Sequence, residues 1–157
     1  MNKGIKIRKV VKADLDVCVA MGRALNLLHN RANEQRFISV TDLELVQWME
    51  RGIANSQAIF LVASDIHDKI IGYVFAEAQD ADISMLTGAH MALYDFYVEP
   101  EYRRHGVGQA LMDGFLEKVG GSGQQVILYT MVSNIEAQHF FKKNGFLASM
   151  IEMTRNN

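Results

Sequence analysis

Hydrophobic positions change their spacing along the chain in a way that separates strands from helices. Ile5 and Ile7 alternate with Lys6 and Arg8, the period-two pattern of a strand with one buried face. Asp14 can then cap a helix in which Val17, Met21, Leu25 and Leu28 recur at three- and four-residue steps. After a polar connector, Asn30 to Ser39, the Thr41-x-x-Glu44 pair forms a capping box ahead of Leu45, Met49 and Ile53, with Gly52 near the exit of this second helix. Gln57 to Ser64 and Ile70 to Ala78 are rich in Ile, Val, Phe and Tyr and flank a five-residue polar loop, so they predict an antiparallel hairpin. Met91 to Val98 is a further strand, ended at Glu99-Pro100 because proline has no amide to give a ladder and disfavours helix at the residue before it.

From Gly106 the period lengthens. Val107, Leu111, Phe115 and Val119 mark a helix ended by Gly120-Gly121, and Val126 to Met131 reads as the next strand. Strand, helix, strand implies a crossover with two parallel strands. Ser133 and Glu136 read as a second capping box, Asn144-Gly145 as a helix stop, and Phe146 to Met153 as a last strand. The predicted order is βααβββαβαβ, an α/β (α+β) fold with a mixed sheet of about six strands and four helices.

Composition narrows the class. At 157 residues with 49% hydrophobic and 22% charged positions, the chain is expected to form one domain over residues 1–157. The single cysteine, Cys18, and five scattered histidines make a metal cluster an unexpected feature. Apolar runs are far shorter than the ~20 residues that span a bilayer, and Lys3, Lys6, Arg8, Lys9 and Lys12 interrupt any signal-peptide core, so the reading is cytoplasmic, with no membrane partner. A net charge of −2 offers no field to gather nucleic acid. The nine methionines read as adaptable core filling.

Candidate chemistry concentrates between Val98 and Ala110. A strand end, a loop and a helix start meet there, and free amides in the first turn of the helix, with the positive end of its dipole, suit an anion. Gly106 and Gly108 would admit a phosphate to the backbone, and Arg103 and Arg104 would add charge. Gly-x-Gly alone is a weak signal, with a tight solvated loop as the competing reading. Leu111 stands where a dinucleotide fingerprint wants a third glycine, and the Gly-Lys-Ser/Thr of a P-loop is absent.

Arg103-x-x-Gly106-x-Gly108, followed by Asn134-x-x-Ala137 and Gly145-Phe146 in that order and spacing, resembles the GNAT superfamily of acetyl-CoA-dependent N-acetyltransferases. The resemblance implies that the strands ending at Val98 and starting near Val126 splay apart. The pantetheine arm of acetyl-CoA would lie in the gap, paired with the backbone of Phe96, Tyr97 and Val98. The pyrophosphate would sit on Arg103, Arg104, His105, Gly106, Val107, Gly108 and Gln109, with Asn134, Phe141 and Lys143 completing the set. It also implies transfer of an acetyl group to a primary amine, on a small molecule, by direct attack in a ternary complex, with no metal; a homodimer is an open alternative.

An alkyl amine has a pKa near ~10.4 and must lose a proton before it attacks. Asp95 and Tyr94 are the candidate bases. Strand alternation would turn only one of them to the cleft, and Asp95 has a competing reading as a buried structural carboxylate. Glu99 is a third candidate. The Val98 amide is the candidate donor to the thioester carbonyl. The family commonly places a tyrosine acid where this chain has Phe141, a departure that removes the hydroxyl and keeps the ring. Tyr129, His139 or a water are substitutes, each with a plainer reading as a strand or helix-face residue. Arg31, Glu34 and Arg36 are candidate acceptor contacts, and Glu77, Asp80 and Asp82 a candidate attraction for a cation. The alternatives to a small-molecule enzyme are a non-catalytic acyl-CoA-binding or regulatory module, suggested by Phe141, and a protein N-terminal or lysine acetyltransferase. A nucleotide-binding module fits less well because both common nucleotide motifs fail.

Overall fold

The computed structural model describes residues 4–32, 38–84, 86–120 and 123–155. Strand β1 (Lys6–Lys9) leads through a short 3₁₀ turn into helices α1 (Leu15–Ala32) and α2 (Asp42–Ala54). Strands β2 (Ala58–Ser64), β3 (Ile70–Gln79) and β4 (His90–Val98) follow, then a second 3₁₀ turn (Pro100–Tyr102), α3 (Val107–Val119), β5 (Gln125–Leu128) and α4 (Ile135–Lys143). The strands lie in one mixed sheet in the order β1-β2-β3-β4-β5, antiparallel except for the parallel pair β4–β5. The mixed α/β architecture predicted from spacing is therefore the observed one.

Each face of the sheet carries a core. Leu61, Ile71 and Val74 pack with Leu111, Met112 and Phe115 of α3 and with Phe141 of α4. Phe60, Tyr73, Phe75 and Tyr97 pack on the other face with Cys18 and Met21 of α1 and Leu45 and Met49 of α2. Alternation along β2 and along β3 from Gly72 onward divides these residues, because successive side chains leave a strand on opposite faces; Ile71 reaches the α3 face as the extra residue where Ala63 opposes Gly72 and Ser64 opposes Ile70.

Several local expectations change. Five strands are present among the described residues rather than six, and Phe146 to Met153 forms no strand. Its apolar content suggested one, but a strand exists only through its ladder, and Leu147 and Met153 remain about nine-tenths exposed with no partner strand beside them. Strand β5 ends at Leu128, three residues short of the predicted Met131. On α1, Met21 is buried and Leu25 packs against the core, but Val17 and Leu28 are exposed while Leu15, Cys18 and Gly22 face inward. Asp14 does not cap α1 directly. It accepts the Val11 amide at 2.8 Å and pairs with both terminal nitrogens of Arg8, whose guanidinium holds its carboxyl below the usual range.

The Thr41–Glu44 capping box forms as expected, each side chain accepting the other's amide. Gly52 lies near the exit of α2 as expected, and its lack of a side chain serves closeness: a Cβ there would stand 2.5 Å from the Phe75 ring. The second capping box is replaced by Asn134, whose side chain accepts the Ala137 amide at 3.1 Å. Helix α4 ends in a Schellman motif. Gly145 takes φ 87°, the Phe146 amide donates to Phe141 and the Gly145 amide to Lys142. The Phe141 and Phe146 rings, 5.6 Å apart, supply the hydrophobic contact that accompanies this motif. Lys3, Glu34, Arg36 and Gly121 lie outside the described residues.

Candidate active site

Strand β4 has two neighbours for only part of its length. His90–Leu93 pair with Gln125–Leu128 of β5, and beyond that point β4 continues to Val98 against β3 alone. The two parallel strands thus part, as expected. The Glu99 amide donates to Ile71 O at 3.0 Å, so by antiparallel alternation the main-chain groups of Tyr97 face β3 while those of Phe96 and Val98 face the open side. Arg103 Nε donates to the Val98 carbonyl at 3.0 Å, leaving the Val98 amide turned to the gap.

Past Val98 the chain turns sharply into α3. Arg104 at φ 63° and Gly106 at φ 84° both adopt left-handed backbone, and Gly106 is the N-cap. Glycine suits that conformation because it has no Cβ to clash with the carbonyl. The first helical bond is from the Ala110 amide to Gly106 O, so the amides of Val107, Gly108 and Gln109 stand at the helix mouth without intrahelical acceptors. A Cβ on Gly108 would lie 3.5 Å from Phe140 and 3.8 Å from Phe96, ordinary contacts, so packing within the protein does not demand glycine there.

The remaining candidates divide. Arg103 is tied to the Val98 carbonyl, and its guanidinium carbon lies 5.7 Å from the centre of the Tyr97 ring; Arg104 and His105 are exposed. The Tyr97 side chain belongs to the opposite core, and Val107 is buried. Gln109 bridges Asp113 and Asn144, Asn134 is engaged as a helix cap, and Lys143 is exposed. Phe141 is buried among Phe96, Phe140 and Phe146, with one edge on the neighbouring groove.

That groove, about 2740 Å³ and open to solvent, runs between α1 and α2 on one side and β5 and the chain after it on the other. Tyr94 and Asp95 both line it. Strand alternation predicted only one, but the register between β3 and β4 shifts at this point: Phe75 opposes Asp95 and Ala76 opposes Leu93, so Tyr94 is the extra residue of a bulge. Leu93 and Phe96 consequently face the α3 side while Tyr94 packs on Trp48, ring centres 5.1 Å apart, and Asp95 accepts the Tyr73 hydroxyl at 3.1 Å. Burial pushes the Asp95 carboxyl up to about 6 against the pull of the Tyr73 hydrogen bond. Burial, with Glu77 nearby, also raises the Tyr94 phenol.

Glu99 sits beyond the strand and accepts from the Tyr97 hydroxyl at 3.4 Å. Tyr129 lines the groove at 78% exposure, and His139 is exposed on α4. Glu77 accepts from Asn55, Asp82 from Ser84, and Asp80 and Arg31 are exposed. Two groove residues escaped the sequence reading: Trp48, the single tryptophan, which sits in an ordinary amphipathic helix, and Arg51, 5.2 Å above its ring. Tyr73, one strand away, carried no motif. Among the described residues no group of three His, Cys, Asp or Glu side chains is placed to hold a metal ion, and no helix is long and apolar enough to cross a membrane.

A splayed parallel pair beside the mouth of a helix is the frame of this site, and the comparisons identify the family that shares it. The model of the acetyltransferase (GNAT) family matches residues 24–146, and the chain belongs to that family of acetyltransferases. Among solved structures it is similar to the tetramutant of the BH1408 protein from Bacillus halodurans, at 15% identity and a TM-score of 0.84 over 97% of this chain and 99% of that one. It is also similar to the aminoglycoside 6'-N-acetyltransferase AAC(6')-Ih from Acinetobacter baumannii, at 18% identity and a TM-score of 0.74 over 98% and 99% of the two chains. A third is AAC(6')-Iy in complex with the bisubstrate analogue CoA-S-monomethyl-acetylneamine, at 17% identity and a TM-score of 0.76 over 98% of each. No curated protein matches the sequence.

Proposed function

We propose that this acetyltransferase moves an acetyl group from acetyl-CoA to a primary amine of a small molecule, by direct attack in a ternary complex. The observation that carries this reading is the parting of β4 and β5, which leaves the Val98 amide free between the mouth of α3 and the groove holding Asp95. The residues present fit the co-substrate. Free amides at Val107, Gly108 and Gln109 suit a pyrophosphate, and the missing Cβ of Gly108 leaves room beside Phe96 and Phe140. Acetyl-CoA, when bound, supplies the activated thioester. The Val98 amide would hold the carbonyl oxygen, and the unpaired edge of Phe96 and Val98 would pair with the arm. Asp95 would accept the amine proton, and its raised carboxyl makes it a stronger base than an exposed aspartate. The likeness to two aminoglycoside acetyltransferases supports a small-molecule acceptor.

Phe141 favours a second reading, a non-catalytic acyl-CoA binder, because the ring in the usual acid position is committed to the aromatic packing that closes α4. Titration of free thiol from the protein, acetyl-CoA and a panel of amines separates the two. Thiol release that depends on an amine is the expected result. Tight acetyl-CoA binding with no release from any amine would establish the binder.

A further inference from the structure

Tyr73 lies opposite Tyr97 in the β3–β4 ladder and is fully buried. Phe60 at 5.8 Å and Tyr97 at 6.4 Å hold its ring, and from there its hydroxyl donates to Asp95 Oδ2. Gly22 on α1 clears the space, since a Cβ there would stand 3.3 Å from the hydroxyl oxygen and 2.7 Å from the Met49 methyl. A buried phenol is costly without a partner, and this one has the carboxylate. The other carboxylate oxygen is in a different position. Oδ1 has no hydrogen-bond partner, yet among the described residues no fully buried side-chain polar atom lacks one. Oδ1 therefore opens onto the groove that Asp95 lines.

We propose that Tyr73 is the positioning residue for the proton acceptor: its hydroxyl fixes one oxygen of Asp95 and turns the other toward the incoming amine. This rests on Asp95 being the base. Oδ1 takes one proton from the ammonium form of the amine and passes it to solvent through the groove; the neutral amine then forms the C–N bond, and as the C–S bond breaks the nitrogen's second proton passes through water to the departing thiolate. Two influences oppose each other at the carboxyl, burial favouring the neutral acid and the Tyr73 hydroxyl favouring the carboxylate. The elements packed around the pair bring Cys18 and His29 from α1, Glu44 and Arg51 from α2, Glu77 from β3, and Tyr94 and Tyr97 from β4, and none of these hydrogen-bonds Asp95. The Tyr73 hydroxyl is thus what keeps Asp95 ionised enough to act.

The test is the pH profile of kcat/KM for an amine found in the panel, measured on the parent, Tyr73→Phe and Asp95→Asn. Tyr73→Phe keeps the ring and is expected to move the acidic limb upward by about one to two pH units, the size of a hydrogen bond to a charged group. The rate at pH 7 falls by roughly two- to tenfold, recovers near pH 9, and KM for acetyl-CoA stays at the parent value. An unmoved limb, or an equal loss at every pH, overturns the inference. An Asp95→Asn protein as active as the parent removes the base assignment itself, whereas an impaired Asp95→Asn beside an unmoved Tyr73→Phe removes only the role of Tyr73. Should Tyr73→Phe not fold, NMR of the parent decides: a slowly exchanging Tyr73 hydroxyl proton whose shift follows the titration of the Asp95 carboxyl carbon supports the inference, and a hydroxyl signal indifferent to that titration overturns it.

Discussion

The side-chain amide of Gln109 donates to Asn144 Oδ1 at 2.7 Å, joining the first turn of α3 to the end of α4, 35 residues away. Asn144 in turn donates to the Phe140 carbonyl, so one short chain of bonds sets Phe140 beside Gly108 at the mouth of the cradle. Gln109→Ala is expected to cost about 1 kcal/mol, the net worth of an ordinary hydrogen bond, and to weaken CoA binding by letting α4 shift. Chemical denaturation and calorimetric CoA titration on the same variant check both halves.

Gly108 separates folding from binding. Its missing Cβ meets only ordinary contacts and the residue lies within α3, so Gly108→Ala is expected to stabilise the fold by about 0.5–1 kcal/mol through helix propensity. Gly108→Val, with methyls branching into the gap, is expected to abolish detectable CoA binding while the protein remains folded by circular dichroism. Parent-like CoA affinity in the valine variant would show that the phosphates sit elsewhere.

Asp95 carries a cost in stability. Its folded pKa of about 6 lies above the ~3.9 of an exposed aspartate, so the folded state holds its proton more tightly. The stability this brings is fully present below the unfolded value and is lost as pH rises through about 6. Asp95→Asn escapes that loss. It is expected to match the parent near pH 3.5, to exceed it by about 3 kcal/mol at pH 8, and to lose about 10²- to 10⁴-fold in turnover. Urea denaturation at both pH values and a turnover assay are the measurements, and a variant less stable than the parent at pH 8 would mark Asp95 as a structural carboxylate.

Phe141 packs at the α4 terminus while one edge reaches the groove. Phe141→Tyr places its hydroxyl at that edge and is expected to raise turnover, within the roughly 10²- to 10⁴-fold available to general acid help, with acetyl-CoA affinity unchanged. A lower melting temperature with no gain in thiol release would show instead that the hydroxyl is buried without a partner, at a cost of about 1–3 kcal/mol.

What the sequence by itself determined is local. The Thr41–Glu44 cap, the β2–β3 hairpin, the break at Pro100 and the Arg103-to-Gly108 turn into α3 each depend on residues within a few positions of one another, where capping, turn chemistry and hydrophobic period act directly. Even the Asn144-Gly145-Phe146 stop is of this kind, a Schellman motif complete within six residues. Tertiary structure alone decided the rest. The bulge that turns Tyr94 and Asp95 to the same groove is a matter of register against β3, and the Tyr73 hydroxyl reaches Asp95 across 22 residues of sequence. Gly52 is glycine because of Phe75 on another element, and the segment after Phe146 is no strand because no described strand lies beside it to complete a ladder. Registers, close approaches and ladder partners belong to pairs of segments, and a periodic pattern read along one segment does not contain them.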